Sequence, residues 1–235
     1  MTLMHMPDDV LSVWIRVLGF ILMSLVMGFS LFWLRNMDMK KKIPLLGLLS
    51  ATMLMGMSLP PELILSGYHI NLPVVTGILA GAALGFLAAF IANPMLAFRG
   101  QGGISAIDFN TLLRGSETIY GHSLFYLHKR LPAFWRAALA TVGTLLVTTM
   151  VLTGFVALLP LTSDLLYHRY RYGYELKANS PIATFAVIVL IIGLMGWITE
   201  VVIARTVITF ISQIKPVEAC SAYEEGPEKG VREGS

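Results

Sequence analysis

A single cysteine, Cys220, serves the whole chain of 235 residues, which excludes an internal disulfide and any cysteine-built metal site within one chain. Charge is almost as scarce. Asp, Glu, Lys and Arg make up 13% of the residues against 56% hydrophobic, well below the charged share of a soluble domain. The net charge of +3 is small and scattered, so no nucleic-acid partner is expected. Motifs are missing too. The stretch Arg99-Gly100-Gln101-Gly102-Gly103 lacks the Lys-Ser/Thr that a phosphate-binding loop needs, and no His-Glu-x-x-His occurs. A cleaved signal peptide is not expected either, because Asp8 and Asp9, rather than basic residues, precede a first apolar run that is too long for one.

What the chain has in abundance is long apolar runs. Spans near 10–34, 43–59, 74–98, 109–127, 133–160 and 181–212 read as membrane helices or helix pairs. The expected fold is all-α, a polytopic membrane helix bundle of about seven transmembrane helices in the plasma or inner membrane. Arg35, Lys40, Lys41 and Lys42 follow the first span and should be cytoplasmic, which puts the N-terminus outside. The second span then returns outward, so Glu62 and His69 share the face of His5. His128, Lys129 and Arg130 should lie inside again, an odd number of crossings later, yet only two apolar stretches intervene. The run 74–98, with Gly77, Gly81 and Gly85, is therefore expected to hold two short helices. Seven crossings follow, with an external loop at 161–180, unusually basic through Arg169, Arg171 and Lys177, and a cytoplasmic C-terminus. Residues 1–215 are expected to form one integral membrane domain, and 216–235 a charged, disordered tail that carries Cys220.

Residues able to do chemistry are few. Most of the thirteen methionines, such as Met23, Met27, Met53, Met55 and Met57, fall inside spans at helical spacing, where packing or lipid contact explains them. Polar groups within spans carry more information, because they are costly there. Glu200 reads as an interhelical anchor, and Arg205, five residues on, does not share its helix face. Arg114 and Glu117, three apart, should pair with each other, and Asn93 should help satisfy backbone groups freed by Pro94. Two of the five histidines stand apart. His5, in Met4-His5-Met6-Pro7-Asp8, and His69, in Ser66-Gly67-Tyr68-His69-Ile70-Asn71-Leu72, each sit where a membrane helix meets water, on the same expected face. Imidazole is the commonest ligand for nickel, cobalt, zinc and copper, so such a pair suggests a metal-capture site. Interfacial histidines with satisfied polar tips would show the same spacing.

These segments, with Gly77-Ile78-Leu79-Ala80-Gly81, Gln101-Gly102-Gly103-Ile104-Ser105, Asn110 and the closing Trp197 to Pro216 stretch, resemble the CbiM/NikM family. Its members are the substrate-binding (S) components of energy-coupling-factor importers for cobalt and nickel. The resemblance runs to about residue 215, and Met-His-x-Pro-Asp is its most specific piece. It implies seven membrane helices with an external N-terminus. It also implies a metal held by four nitrogens: the amine of Met4, the deprotonated amide and imidazole of His5, and the imidazole of His69. Planar nitrogen coordination suits Ni(II) or Cu(II) and accepts Co(II), and amide deprotonation makes capture release protons. Asp8, Asn71, Gly102, Gly103 and Asn110 would then hold the N-terminal segment down as a lid or as supports for the ligands.

The chain departs from that pattern in three places. Met1-Thr2-Leu3 precede the motif, so the chelate requires a start at Met4 or removal of residues 1–3. Asp9 and Val10 stand where the family commonly has Gly-Phe, and Gln101 stands where a histidine or aspartate is frequent, so Gln101 is not counted as a ligand. The resemblance further implies partners: a transmembrane coupling (T) subunit, cytosolic ATPase subunits and, in cobalt systems, a small accessory membrane subunit. Co(II) or Ni(II) would be the transported substrate, with no organic cofactor, serving cobalamin or nickel-enzyme synthesis. Two other readings start from the same residues. One is a membrane-embedded metal-dependent hydrolase using His5, His69 and Glu62; the other is an ATP-independent metal carrier, which would need matched polar residues at mid-membrane.

Overall fold

The computed structural model describes residues 11–37, 39–58, 70–158 and 181–214. Among them are seven α-helices and no strand: α1 (Val13–Leu34), α2 (Met39–Ser58), α3 (Pro73–Ala80), α4 (Ala82–Phe98), α5 (Ile107–Leu127), α6 (Ala133–Leu158) and α7 (Pro181–Ile214). A 3-10 turn, Ile104–Ala106, leads into α5. Among the described residues, three stretches are long and apolar enough to cross a membrane: all of α1, residues 133–155 of α6 and residues 196–214 of α7. At 1.5 Å per residue the 22 residues of α1 rise about 33 Å, enough for a hydrocarbon core of about 30 Å. The apolar parts of α2 and α4 are shorter, and α5 is more polar, with Asp108, Arg114 and Glu117 all buried.

The surface is apolar, as a lipid solvent requires. On α1, Trp14, Phe20, Phe29 and Trp33 point outward, while Gly19, Met23, Ser30 and Leu34 form a buried stripe against α4 and α5. Two interior clusters tie the bundle together. Leu34, Leu49 and Met53 meet Leu84, Leu87, Ala88 and Ala92, joining α1 and α2 to α4. Val74, Val75 and Ile78 of α3 meet Phe125, Ala137, Ala140, Ala204 and Ile208, joining α5, α6 and α7 around it.

The run 74–98 is two short helices, as the charge parity predicts. They part at Gly81, whose φ of 85° and ψ of 168° only glycine adopts without strain. All of α3 except Leu79 is buried. Its eight residues rise only about 12 Å, less than half the hydrocarbon core, so α3 works as an interior element rather than a full-length span. Small residues permit this interior placement. A Cβ on Gly77 would collide with the backbone of Thr118, one on Gly121 with Val74, and one on Gly115 with the ring of Phe86. Backbones in a membrane bundle approach closely only where such side chains are absent.

Candidate metal site

Of the residues singled out by the sequence, Met4, His5, Asp8 and His69 lie outside the described residues, whereas Asn71, Gly102, Gly103 and Asn110 lie within them. Several contacts gather the elements that adjoin the two histidine-bearing stretches in sequence. Arg99, at the end of α4, donates a hydrogen bond to the Ser58 hydroxyl at the end of α2. Two residues before Ser58, Gly56 lies against the next described segment: a Cβ there would sit 3.1 Å from the carbonyl oxygen of Ile70 and 3.3 Å from Leu72. At the start of α5, Asp108 lies against Gly19 of α1. The early part of α1, the end of α2, the loop after α4 and the start of α5 therefore share one end of the bundle. The stretch with His5 adjoins α1 in sequence, and the stretch with His69 links α2 to α3.

The loop 99–103 has its own logic. Gly100, with φ +77°, donates its N–H to the Ala97 carbonyl, and the Gln101 N–H reaches the Leu96 carbonyl at 2.9 Å. That double bond pattern is a Schellman cap, which terminates α4 and satisfies two of its last carbonyls. Gly102, with φ +91°, and the buried Gly103 then carry the chain into the 3-10 turn, closed by Ala106 N–H to Gly103 carbonyl at 3.2 Å. Gly102 and Gly103 thus shape the path between α4 and α5. Asn110 is buried one turn into α5, and its carbonyl accepts a hydrogen bond from the Asn93 side chain at 3.4 Å. Asn93 also bonds the Ala89 carbonyl at 3.1 Å, whereas the carbonyl deprived by Pro94 is that of Phe90. Asn93 therefore ties α4 to α5 near the proline without replacing the lost bond itself.

Residues 70–72, which follow His69, are anchored from several sides. The buried backbone N–H of Asn71 donates to the Glu200 carboxylate of α7 at 3.1 Å, across 129 residues of sequence. Pro73 opens α3, and Thr76 N–H bonds the Leu72 carbonyl at 3.0 Å. Glu200 thus anchors α7, as its position in the last span suggests, and among its partners is a backbone group in a connecting segment. Arg205 turns elsewhere, with its guanidinium 4.9 Å from the Phe134 ring centroid at the start of α6. Arg114 and Glu117 pair as expected, at 3.4 Å and fully buried, with Thr148 of α6 beside Glu117.

Asp108 is a residue the sequence reading passed over. It is buried at the first turn of α5, with Arg16 of α1 near enough for its charge to act on it. The signal was an acid at a helix start preceded by a glycine-rich loop, which by itself reads as an ordinary first-turn carboxylate. Among the described residues no three His, Cys, Asp or Glu side chains converge to hold a metal.

A family model described as cobalt uptake substrate-specific transmembrane region, CbiM, matches residues 5–218. No curated protein and no solved structure matches the chain.

Proposed function

The chain belongs to the CbiM family of cobalt uptake substrate-specific transmembrane regions, and from that premise we propose that it captures Co(II) or Ni(II) outside the membrane on Met4, His5 and His69. Membership makes it a transport component, not an enzyme, with cobalt the substrate its family name carries. On the proposed reading it is the specificity subunit of an energy-coupling-factor importer in the plasma membrane. It works with a transmembrane coupling subunit, two cytosolic ATPases and, in a cobalt system, a small accessory membrane subunit.

The amine of Met4, the amide nitrogen and imidazole of His5 and the imidazole of His69 supply four nitrogens in one plane, a geometry favourable to Ni(II) and acceptable to Co(II). Binding removes the amide proton, so affinity rises with pH. Asp8, Asn71 and the Gly102–Gly103 turn hold the N-terminal segment against the bundle. The observation that supports this most is the common end of the bundle shared by the early part of α1, the end of α2 and the loop after α4. The segment immediately after His69 is there wedged between α2 and α7.

N-terminal sequencing of the purified protein, with metal analysis after loading with Co(II) and with Ni(II), tests the reading. A mature chain beginning at Met4, about one metal per chain, and loss of that metal in both His5→Ala and His69→Ala are expected. A retained Met1 with metal bound refutes the amine chelate. Full metal binding by both variants refutes the site.

A further inference from the structure

We infer that Arg205 of α7, with Lys129 and Arg130 of the α5–α6 turn, forms a binding site for the phosphate headgroup of an anionic phospholipid. The site uses none of the proposed metal ligands and is tested apart from them.

Arg205 stands at the midpoint of the apolar stretch 196–214. A charge in such a stretch is costly and calls for a counter-charge. Its own surroundings supply none. No Asp or Glu occurs from 118 to 163 or from 201 to 217, and Glu200 is buried and turned to Asn71. The contact that Arg205 does make is with an uncharged ring, its guanidinium 4.9 Å from the Phe134 centroid. A guanidinium over an aromatic face still has N–H groups to donate, and their fork matches two phosphate oxygens.

Phe134 also fixes the depth. It lies in the first turn of α6, just after the exposed turn that carries Lys129 and Arg130. An exposed pair of cations marks the membrane boundary, so Arg205 is level with headgroups rather than with the hydrocarbon centre. That holds whichever side of the membrane the turn occupies. Phosphate is the anion that a membrane supplies at this depth.

Other cations of this corner are used within the fold. Arg136 is buried, its Nε donating to the Phe125 carbonyl at 3.1 Å and its guanidinium 4.0 Å from the Phe125 centroid. A ring nitrogen of His128 bonds the Leu124 carbonyl at 2.8 Å. Lys129 and Arg130, by contrast, are exposed. Arg130 precedes Phe134 by four residues, a length of chain that spans at most about 14 Å, so the three cations gather at one edge of the bundle. Apolar surface leads up to them on both helices. Trp135, Leu139 and Val142 are exposed along α6, and Ile198 and Val202 along α7 in the turns before Arg205. A protein partner would have to bring an acid to this depth within an otherwise aliphatic surface. A phospholipid carries chains and phosphate in that order already.

Full-length protein is purified in detergent micelles doped with phosphatidylglycerol or with phosphatidylcholine of the same acyl chains. Native mass spectrometry counts the lipid each protein retains, and thermal melts are run in nanodiscs of either lipid. Wild type should retain phosphatidylglycerol in preference to phosphatidylcholine and melt higher in it. Arg205→Gln should weaken that retention about tenfold. Arg205→Lys, which keeps the charge and loses the fork, should weaken it about threefold. The double variant Lys129→Ala/Arg130→Ala should weaken it about tenfold. Arg35→Ala is the control, since Arg35 is also exposed and lies over a phenylalanine, with 3.9 Å to the Phe32 centroid. It removes the same charge as Arg205→Gln from another part of the surface, and should leave retention within about twofold of wild type.

Equal retention of the two lipids by wild type overturns the inference. Equal losses in Arg205→Gln and Arg35→Ala do so as well, because they would show diffuse attraction without a site. If phosphatidylglycerol is taken up only after residues 216–235 are removed, the chain's own tail holds these cations and the inference is wrong. Should Arg205→Gln fail to fold, the exposed pair decides alone: undiminished retention by Lys129→Ala/Arg130→Ala refutes the site.

Discussion

At the residue scale, the buried pair Arg114–Glu117 shows how sequence spacing and bundle chemistry meet. Two charges three apart on one helix can neutralise each other without help, so the pair could be read before any packing was known. Burial raises what depends on it. Each partner is at most 3% exposed, so removing one leaves the other as an uncompensated charge in a nearly waterless interior. Glu117→Ala should therefore destabilise the protein by about 3–5 kcal/mol. Replacing both partners with methionine should cost much less, because no charge is stranded. Thermal or denaturant unfolding in a fixed detergent measures both, and a double variant less stable than Glu117→Ala would contradict the argument. Long-range partners were not legible in the same way. Glu200 could be recognised as an anchor because an acid in an apolar span needs a partner. Nothing in the local pattern pointed to Asn71, 129 residues away. Asp108 was passed over for the converse reason: a helix start already explains an acid, so its contact with Gly19 leaves no mark in the sequence.

At the scale of elements, glycine made most of the legible difference. The division of the run 74–98 into α3 and α4 followed from counting crossings and finding glycines where a break had to fall, and Gly81 is where it falls. The function of each glycine was not legible, because a conformational requirement and a packing requirement look the same in one sequence. The structure separates them and gives each a different response to alanine. At Gly81, φ of 85° makes any side chain strained, and Gly81→Ala should cost about 1–3 kcal/mol. At Gly115 the obstacle is the Phe86 ring, so Gly115→Ala should cost a comparable amount, and Phe86→Leu should recover part of it. At Gly28, within α1, a Cβ meets nothing within 4 Å, and Gly28→Ala should be neutral or stabilising by up to about 1 kcal/mol. Melting temperatures of the three variants in one detergent give the ranking, and a destabilising Gly28→Ala would show that this face of α1 is packed against a partner. The loop 99–103 belongs to the same lesson. Its glycines suggest an anion cradle at first sight, and they serve instead as a helix stop and a turn.

At the scale of the whole molecule, orientation is the property that the helices constrain most weakly and that transport needs most. A metal captured outside must be released inside, so the side on which each end lies is part of the mechanism. The positive-inside argument fixes the first two helices through Arg35 and Lys40 to Lys42. It reaches the C-terminus only by counting: the Arg99–Ser58 bond brings α4 back to the end of α2, so α3 and α4 enter and leave by one face, and α5, α6 and α7 are the helices left to count. Cys220 is well placed to decide this, being the sole thiol of the chain and lying beyond α7. A maleimide that cannot cross membranes should leave Cys220 unlabelled in intact cells and label it once the cells are opened. A thiol at the second position, Lys41→Cys in a Cys220→Ser background, should behave identically, because seven crossings put both on the cytoplasmic side. Labelling of Cys220 in intact cells, with Lys41→Cys still protected, would mean that α5, α6 and α7 make two crossings rather than three. The tail beyond α7 would then lie outside. In that arrangement no cytosolic partner could act on α7 through its C-terminal end, and with α5 still crossing, release inward would have to be driven through the α5–α6 turn at His128, Lys129 and Arg130.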